Sequence, residues 1–271
     1  MEKLRLDLLM EELGLAESRS SAQRIIMAGQ TRVNGQVVLK VAAKVNRTDL
    51  IEVDKPPQFV SRGGEKLLGA LQAFDMMHLD GLVCADIGSS TGGFTDCLLQ
   101  HGASKVFAVD VGYGVMHWKL RNHPKVVVME RTNARYVEGF SDPVQLVTID
   151  ASFISLRTLL PPVKKWLEEK GGQIIALIKP QFEAGRQDAA KGDGVIRDVL
   201  IHQRILEQVL CFAVHEGFEI KGLIQSPLTG PKGNIEFLTL LNYPAASQSN
   251  VAEWLEGLYP VGAQGEEIAS I

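Results

Sequence analysis

The 271-residue chain has no apolar run that approaches the roughly 18 residues a helix needs to cross a bilayer. Its opening, Met1-Glu2-Lys3-Leu4-Arg5, leads into an amphipathic segment and lacks the uninterrupted apolar stretch of a signal peptide. The expectation is a cytoplasmic protein without a membrane partner. Cysteine is scarce: Cys84, Cys97 and Cys211 stand apart, without paired ligand spacing, which argues against a disulfide framework or a zinc site and fits a reducing compartment. All three read as small buried residues. Histidines at 78, 101, 117, 123, 202 and 215 are scattered, and none forms the helical pair with Glu that marks a metalloprotease. No metal is expected. Hydrophobic content of 45% and charged content of 22% then describe an ordinary globular chain, long enough for two domains or one large one.

The most informative stretch is Asp86-Ile87-Gly88-Ser89-Ser90-Thr91-Gly92-Gly93-Phe94-Thr95. Leu82-Val83-Cys84-Ala85 precede it as a strand, and Phe94, Leu98 and Leu99 follow at helical spacing, so the glycines sit at a strand-to-helix corner. Glycine there lets the backbone approach a ligand where a Cβ would collide. Phe94 stands where a Walker A loop needs Lys, so nucleoside triphosphate hydrolysis is not expected. Glycines at 88, 92 and 93 also miss the dinucleotide spacing, although a second strand, Val106-Phe107-Ala108-Val109, ends in Asp110, an acid suited to ribose hydroxyls. A ribose-binding acid without a phosphate cradle fits S-adenosylmethionine.

The rest of the chain reads as an α/β domain preceded by a small module. A helix over 64–74 places Leu67, Leu68, Leu71 and Phe74 inward, and strands follow at 82–87, 105–110, 126–130, 145–150 and 173–179 with a βαβ rhythm. Two more, at 219–225 and 236–242, suit an antiparallel edge pair that completes a seven-stranded sheet. Ligands bind outside the carboxyl ends of such strands, which directs attention to Asp150 and Lys179. A lysine closing the apolar run Ile174-Ile175-Ala176-Leu177-Ile178 needs a partner for its head, and Asp150 is the candidate.

Upstream, Leu4, Leu8, Leu9, Leu13 and Leu15 trace an apolar helical face that Gly14 would end. A second helix, capped by Ser18 or Ser20, buries Ile25 and Ile26 and stops at Gly29. Asn34-Gly35 then signals a hairpin. Residues 18–47 carry Arg19, Arg24, Arg32, Lys40, Lys44 and Arg47 with no acid, a local basic stripe despite the net charge of −4.

The order Asp86-x-Gly88-x-x-x-Gly92-Gly93, then Val109-Asp110-Val111-Gly112, Asp150 and Lys179-Pro180 resembles the FtsJ-like ribose methyltransferases, and more narrowly the TlyA or hemolysin A family of ribosomal RNA methyltransferases. The stretch from Arg5 to Val53 resembles an S4-type RNA-binding module. The resemblance implies an S4-like module at 1–54, a linker at 55–63, a Rossmann-like seven-stranded methyltransferase domain at 64–245 and a tail at 246–271.

It further implies a catalytic set of Lys66, Asp150, Lys179 and Glu236, with Lys179 as the base, Asp150 orienting it and Lys66 and Glu236 positioning a ribose 2′-hydroxyl. A lysine base must be neutral when it takes the proton, so the split of roles stays open. S-adenosylmethionine contacts are expected from Asp86, Gly88, Ser89, Ser90, Thr91, Gly92, Gly93, Asp110, Val111, Asn133, Ala134 and Asp150, with Asn133 equally readable as a loop cap. RNA contacts are expected from Arg5, Arg19, Arg24, Arg32, Lys40, Lys44, Arg62, Arg186 and Lys191. The glycine-rich stretch from Phe182 to Val195 reads as an RNA-facing lid or an uninvolved loop. By family analogy the partner is ribosomal RNA within ribosomal subunits and the target a cytidine ribose in 16S or 23S RNA. Alternatives on the sequence alone are a non-enzymatic RNA-binding assembly factor, a membrane-damaging protein and a small-molecule methyltransferase.

Overall fold

The structure is a computed structural model that describes residues 3–54, 57–167, 170–184 and 194–259. The chain divides into two compact units, Met1–Gln58 and Phe59–Ile271. Lys55 and Pro56 of the expected linker lie outside the described residues.

In the first unit, strand β1 (Leu4–Arg5) runs into helix α1 (Leu6–Glu12), followed by α2 (Arg19–Met27) and short strands β2 (Thr31–Val33), β3 (Gln36–Val37), β4 (Lys44–Val45) and β5 (Ile51–Val53). β1 pairs antiparallel with β4, and β2 lies between β3 and β5 in an antiparallel three-stranded sheet. Asn34 and Gly35 both adopt positive φ, which is the geometry a two-residue hairpin turn requires. The Ser18 hydroxyl caps α2 by accepting from the Ser21 amide.

The apolar face of α1 is not the one that leucine spacing suggests. Leu6, Leu9 and Met10 are buried, whereas Leu8 and Leu13 are exposed. Leu4 belongs to a strand, so counting a helical stripe from it rotates the face. Asp7 is buried on the inner side because its carboxylate accepts hydrogen bonds from Arg5, Arg19, Gln23 and the Leu8 amide. The basic stripe is also partly neutralised from outside its own window: Asp7 pairs with Arg19, Asp54 with Arg32 and Glu12 with Arg47. Folding brings in acids that a linear count leaves out.

Arg5, with help from Gln23 and Arg19, holds the Asp7 carboxyl well below the usual carboxylate range. A depressed native value means that this stability is present above the ordinary carboxylate pKa and is lost as pH falls. Asp7→Ala is therefore expected to destabilise the first unit by about 2–4 kcal/mol at neutral pH. The gap from wild type should shrink below about pH 4. Hydrogen exchange of amides in α1 and α2 reads both effects.

The second unit opens with α3 (Gly63–Ala73), β6 (Val83–Ile87), α4 (Gly93–Gln100), β7 (Lys105–Val109), α5 (Trp118–Arg121) and β8 (Val126–Met129). It continues with β9 (Leu146–Ile149), α6 (Leu156–Leu167), β10 (Gly172–Ile178), α7 (Pro180–Glu183), α8 (Val199–His215), β11 (Glu219–Gln225), β12 (Phe237–Tyr243) and α9 (Val251–Leu258). The seven strands run in the order β11-β12-β10-β9-β6-β7-β8. All adjacent pairs are parallel except those of β12, which inserts antiparallel between β10 and β11.

Alternate residues of the central strands feed opposite cores. Ala85, Ile87, Ile174, Ala176 and Ile178 pack beneath α6 and α8, while Cys84, Ile175 and Leu177 pack beneath α3 and α4. Burial on both faces is why these strands read as continuous apolar runs. Cys84 and Cys97 are buried as expected, but Cys211 is exposed on α8, whose inner stripe is Ile205, Leu206, Val209, Leu210 and Ala213. Among the described residues no helix is long and apolar enough to cross a membrane, and no cluster of ligating side chains suits a metal ion.

Candidate active site

The loop between β6 and α4 is held by its own backbone. Gly88 and Ser89 amides donate to the Val109 carbonyl at 2.9 and 3.2 Å, and Gly88, Ser90 and Gly92 all have positive φ. A Cβ on Gly88 would stand 2.7 Å from the Asp150 carbonyl oxygen, so glycine is what lets the ends of β6 and β9 meet. Asp110 Oδ2 accepts from the Ser90 amide at 2.7 Å and Oδ1 from the Gly112 amide at 2.7 Å. Each oxygen keeps a lone pair for a further donor.

Two clefts open at this corner. The first, about 500 Å³, is lined by Lys66, Lys179, Asp150, Glu236, Ser152 and Arg62 among others. Lys66 comes from α3, Asp150 follows β9, Lys179 follows β10, and Glu236 precedes β12. The four heads form two ion pairs: Lys66 Nζ to Glu236 Oε2 at 2.5 Å and Lys179 Nζ to Asp150 Oδ1 at 2.6 Å. The Lys66 and Glu236 side chains are only 9% and 1% exposed, so their charges are largely removed from water and each depends on the other. Lys179 also donates to Ser152 Oγ at 3.0 Å.

The second cleft, about 470 Å³, is lined by Asp110, Val111, Asn133, Ala134, Ile154 and Leu159. Gly88, Ser90, Asp150 and Ser152 line both. This second cleft has Asp110 on its lining, able to accept from ligand hydroxyls, together with apolar walls at Val111, Ala134, Ile154 and Leu159, and that set fits an adenosine-bearing ligand. Asn133 does double duty, because its Oδ1 also accepts from the Arg135 amide at 3.1 Å as a local cap.

Other expected contacts stand elsewhere. Ser89, Thr91 and Gly93 line the first cleft, and Gly92 lines neither; it starts α4 at φ 98°. Asp86 is buried behind the loop and lines neither cleft, with Thr95 Oγ1 donating at 2.6 Å and Thr148 Oγ1 at 3.1 Å. Its place in the motif is explained by tying β6, β9 and α4 together. Of the basic residues, Arg5, Arg19 and Arg32 are engaged in ion pairs, Arg24, Lys40 and Lys44 are exposed, and Arg62 donates to the Thr229 carbonyl at 3.3 Å. Arg186 and Lys191 lie outside the described residues, as does most of the expected lid. Ser152 and Gln181 are site residues that the sequence reading did not assign. Their only signal was position, two residues beyond Asp150 and Lys179.

Burial pushes the Asp86 carboxyl up to about 7 against the two threonine hydrogen bonds, with the Asp150 charge adding to the rise. A raised native value means that its stabilising share is complete below the ordinary carboxylate pKa and is lost as pH rises through about 7. Asp86→Asn, which is neutral at every pH, should unfold at a temperature that gains on wild type between pH 5 and pH 8. A constant difference would contradict this.

A profile of the family described as FtsJ-like methyltransferase matches residues 59–243, and an S4 domain profile matches residues 4–51. The chain is 43% identical over 243 residues to the 16S/23S rRNA (cytidine-2′-O)-methyltransferase TlyA of Mycobacterium tuberculosis, covering 88% of this chain and 90% of that one. It is 45% identical over 238 residues to Hemolysin A of Brachyspira hyodysenteriae, covering 87% and 98%. A solved structure from Streptococcus thermophilus with a provisional hemolysin name is 42% identical, covers 95% of this chain and 96% of its own, and superposes with a TM-score of 0.70. With an S4 domain ahead of a methyltransferase sheet, and with that identity over nearly the whole chain, the protein belongs to the TlyA and hemolysin A family of FtsJ-like methyltransferases.

Proposed function

We propose that this protein transfers the methyl group of S-adenosylmethionine to the 2′-hydroxyl of a cytidine in ribosomal RNA. The observation that carries the reading is the convergence of Lys66, Asp150, Lys179 and Glu236 in one cleft that shares Gly88 and Asp150 with the second cleft, which Asp110 lines. The cytidine ribose is carried over from the activity named for the Mycobacterium relative.

Asp110 would hold the ribose hydroxyls of the donor, Val111, Asn133 and Ala134 would flank its adenine, and Gly88 to Thr91 would follow its methionine end. When bound, that donor supplies an electrophilic methyl on a sulfonium that is already a good leaving group. The protein then has two tasks: to align the 2′-oxygen with that carbon and to take its proton. Alignment supplies on the order of 7–11 kcal/mol, and proton removal adds about 10²- to 10⁴-fold. Lys179, in the neutral form that has first released a proton to solvent, accepts the hydroxyl proton as the new carbon–oxygen bond forms and the donor's carbon–sulfur bond breaks. Asp150 and Ser152 fix its head, and the Lys66–Glu236 pair orients the hydroxyl from the opposite wall.

Residues 1–54 would hold folded RNA through Arg24, Lys40 and Lys44, which are exposed, with Arg5, Arg19 and Arg32 contributing the part of their guanidinium groups not committed to Asp7 and Asp54. A ribosomal substrate supports the reading of a cytoplasmic enzyme. Incubation of the full chain with labelled S-adenosylmethionine and purified ribosomal subunits should give label in RNA at an alkali-resistant ribose. Binding to subunits without transfer would support an assembly factor, and transfer to free nucleosides a small-molecule enzyme.

A further inference from the structure

Gln181 is held beside the catalytic set in a way that packing alone does not explain. It follows Lys179 by two residues on the short helix α7, yet its Nε2 reaches across to donate to Glu236 Oε1 at 3.3 Å. Among the described residues, its own Oε1 is buried with no hydrogen-bond partner. A buried amide oxygen without a donor is unfavourable, and turning the amide over would free it from that position. The turned amide would instead set one acceptor against another, Gln181 Oε1 against the Glu236 carboxylate. The arrangement sacrifices one end of the amide to keep the other on Glu236.

We infer that Gln181 is a positioning residue for methyl transfer: it occupies Glu236 Oε1 so that Oε2 alone faces Lys66, and it joins the turn carrying Lys179 to the strand start carrying Glu236. The inference rests on the catalytic reading above. Glu236 offers two oxygens, and the Lys66 ammonium can follow either. With Oε1 taken by Gln181, the 2.5 Å contact to Oε2 has one orientation, which fixes where Lys66 points into the cleft. Among the described residues, the groups that face this carboxylate are Lys66 from α3 and Gln181 from α7, with the Gly230 turn so close that a Cβ there would stand 2.6 Å from Oε1. The other charged residues that line the cleft are the Lys179–Asp150 ion pair, matched within itself, and Arg62, which donates to the Thr229 carbonyl.

The test uses the full chain, ribosomal subunits and labelled S-adenosylmethionine, with wild type, Gln181→Glu and Gln181→Leu measured from pH 6 to pH 9. Gln181→Leu is expected to lower kcat by about ten- to a hundredfold, with KM for subunits and affinity for S-adenosylmethionine unchanged. Gln181→Glu keeps the shape but places a second carboxylate against Glu236. Its rate should fall as far at high pH and recover as pH drops, because only the protonated form donates to Glu236. The ratio of variant to wild-type rate removes the pH dependence the two share. A ratio that stays flat with pH, a Gln181→Leu kcat equal to wild type, or two variants that both fail to fold would overturn the inference and leave Gln181 a packing residue. Wild type that transfers no methyl to subunits overturns the catalytic reading itself, a separate outcome.

Discussion

Lys179→Ala is expected to lower the methyl-transfer rate by about 10²-fold or more while S-adenosylmethionine still binds. Lys179 lines the first cleft and not the second, so truncating it removes a group that meets the acceptor and leaves the walls of the donor site in place. Its loss also strips Asp150 Oδ1 of its ionic partner and Ser152 of a donor. A separate measurement of donor affinity by calorimetry is therefore needed to show that Asp150 has not moved into the second cleft. A variant that turns over near the wild-type rate would remove Lys179 as base. The Lys66–Glu236 pair would then be the remaining candidate, since its two heads also line the acceptor cleft.

The second large effect is at Gly88. Gly88→Ala is expected to lower methyl transfer by about a hundredfold or more, because a 1 Å misplacement at a reacting site already costs that much, and to weaken S-adenosylmethionine binding with it. The new methyl would sit 2.7 Å from the Asp150 carbonyl oxygen and 3.1 Å from Ala151 Cα, both backbone atoms that no rotamer can move aside. Either β6 or β9 must shift its end, and both carry residues common to the two clefts.

Gly81 supplies the control. It has the same φ of 79°, but a Cβ there meets nothing within 4 Å. Gly81→Ala should therefore carry the same left-handed strain, about 1–2 kcal/mol, and leave donor affinity intact. Equal affinity in the two variants would show that the close approach at Gly88 does not govern the site.

Much of this was legible because local rules and tertiary packing agree. The strand-to-helix corner, the Asn34-Gly35 hairpin and the Ser18 cap are each set by residues a few positions apart, and strand limits in the sheet fall within one residue of those read from apolar runs. The place of Asp110, just past the end of β7 and on the lining of the second cleft, was legible for the same reason. At α1 local spacing and packing part company, since a leucine stripe counted from Leu4 ignores that the chain enters as a strand. α6, to which no element was assigned from the sequence, holds Pro161 and Pro162 inside a helix whose burial of Leu156, Leu159, Leu160 and Val163 outweighs the lost backbone bonds.

Periodicity and turn chemistry, both short-range, were enough in the sequence to determine a seven-stranded α/β domain that follows a small basic module, and a glycine corner between its first strand and helix. Tertiary structure alone decided which charges stand together. Asp86 turned inward to threonines, Asp7, Glu12 and Asp54 came from outside the basic stripe to meet its arginines, and Gln181 reached a carboxylate 55 positions away. Coulombic and hydrogen-bond partners are chosen by distance in space, and the chain order carries no term for that distance until the sheet has formed.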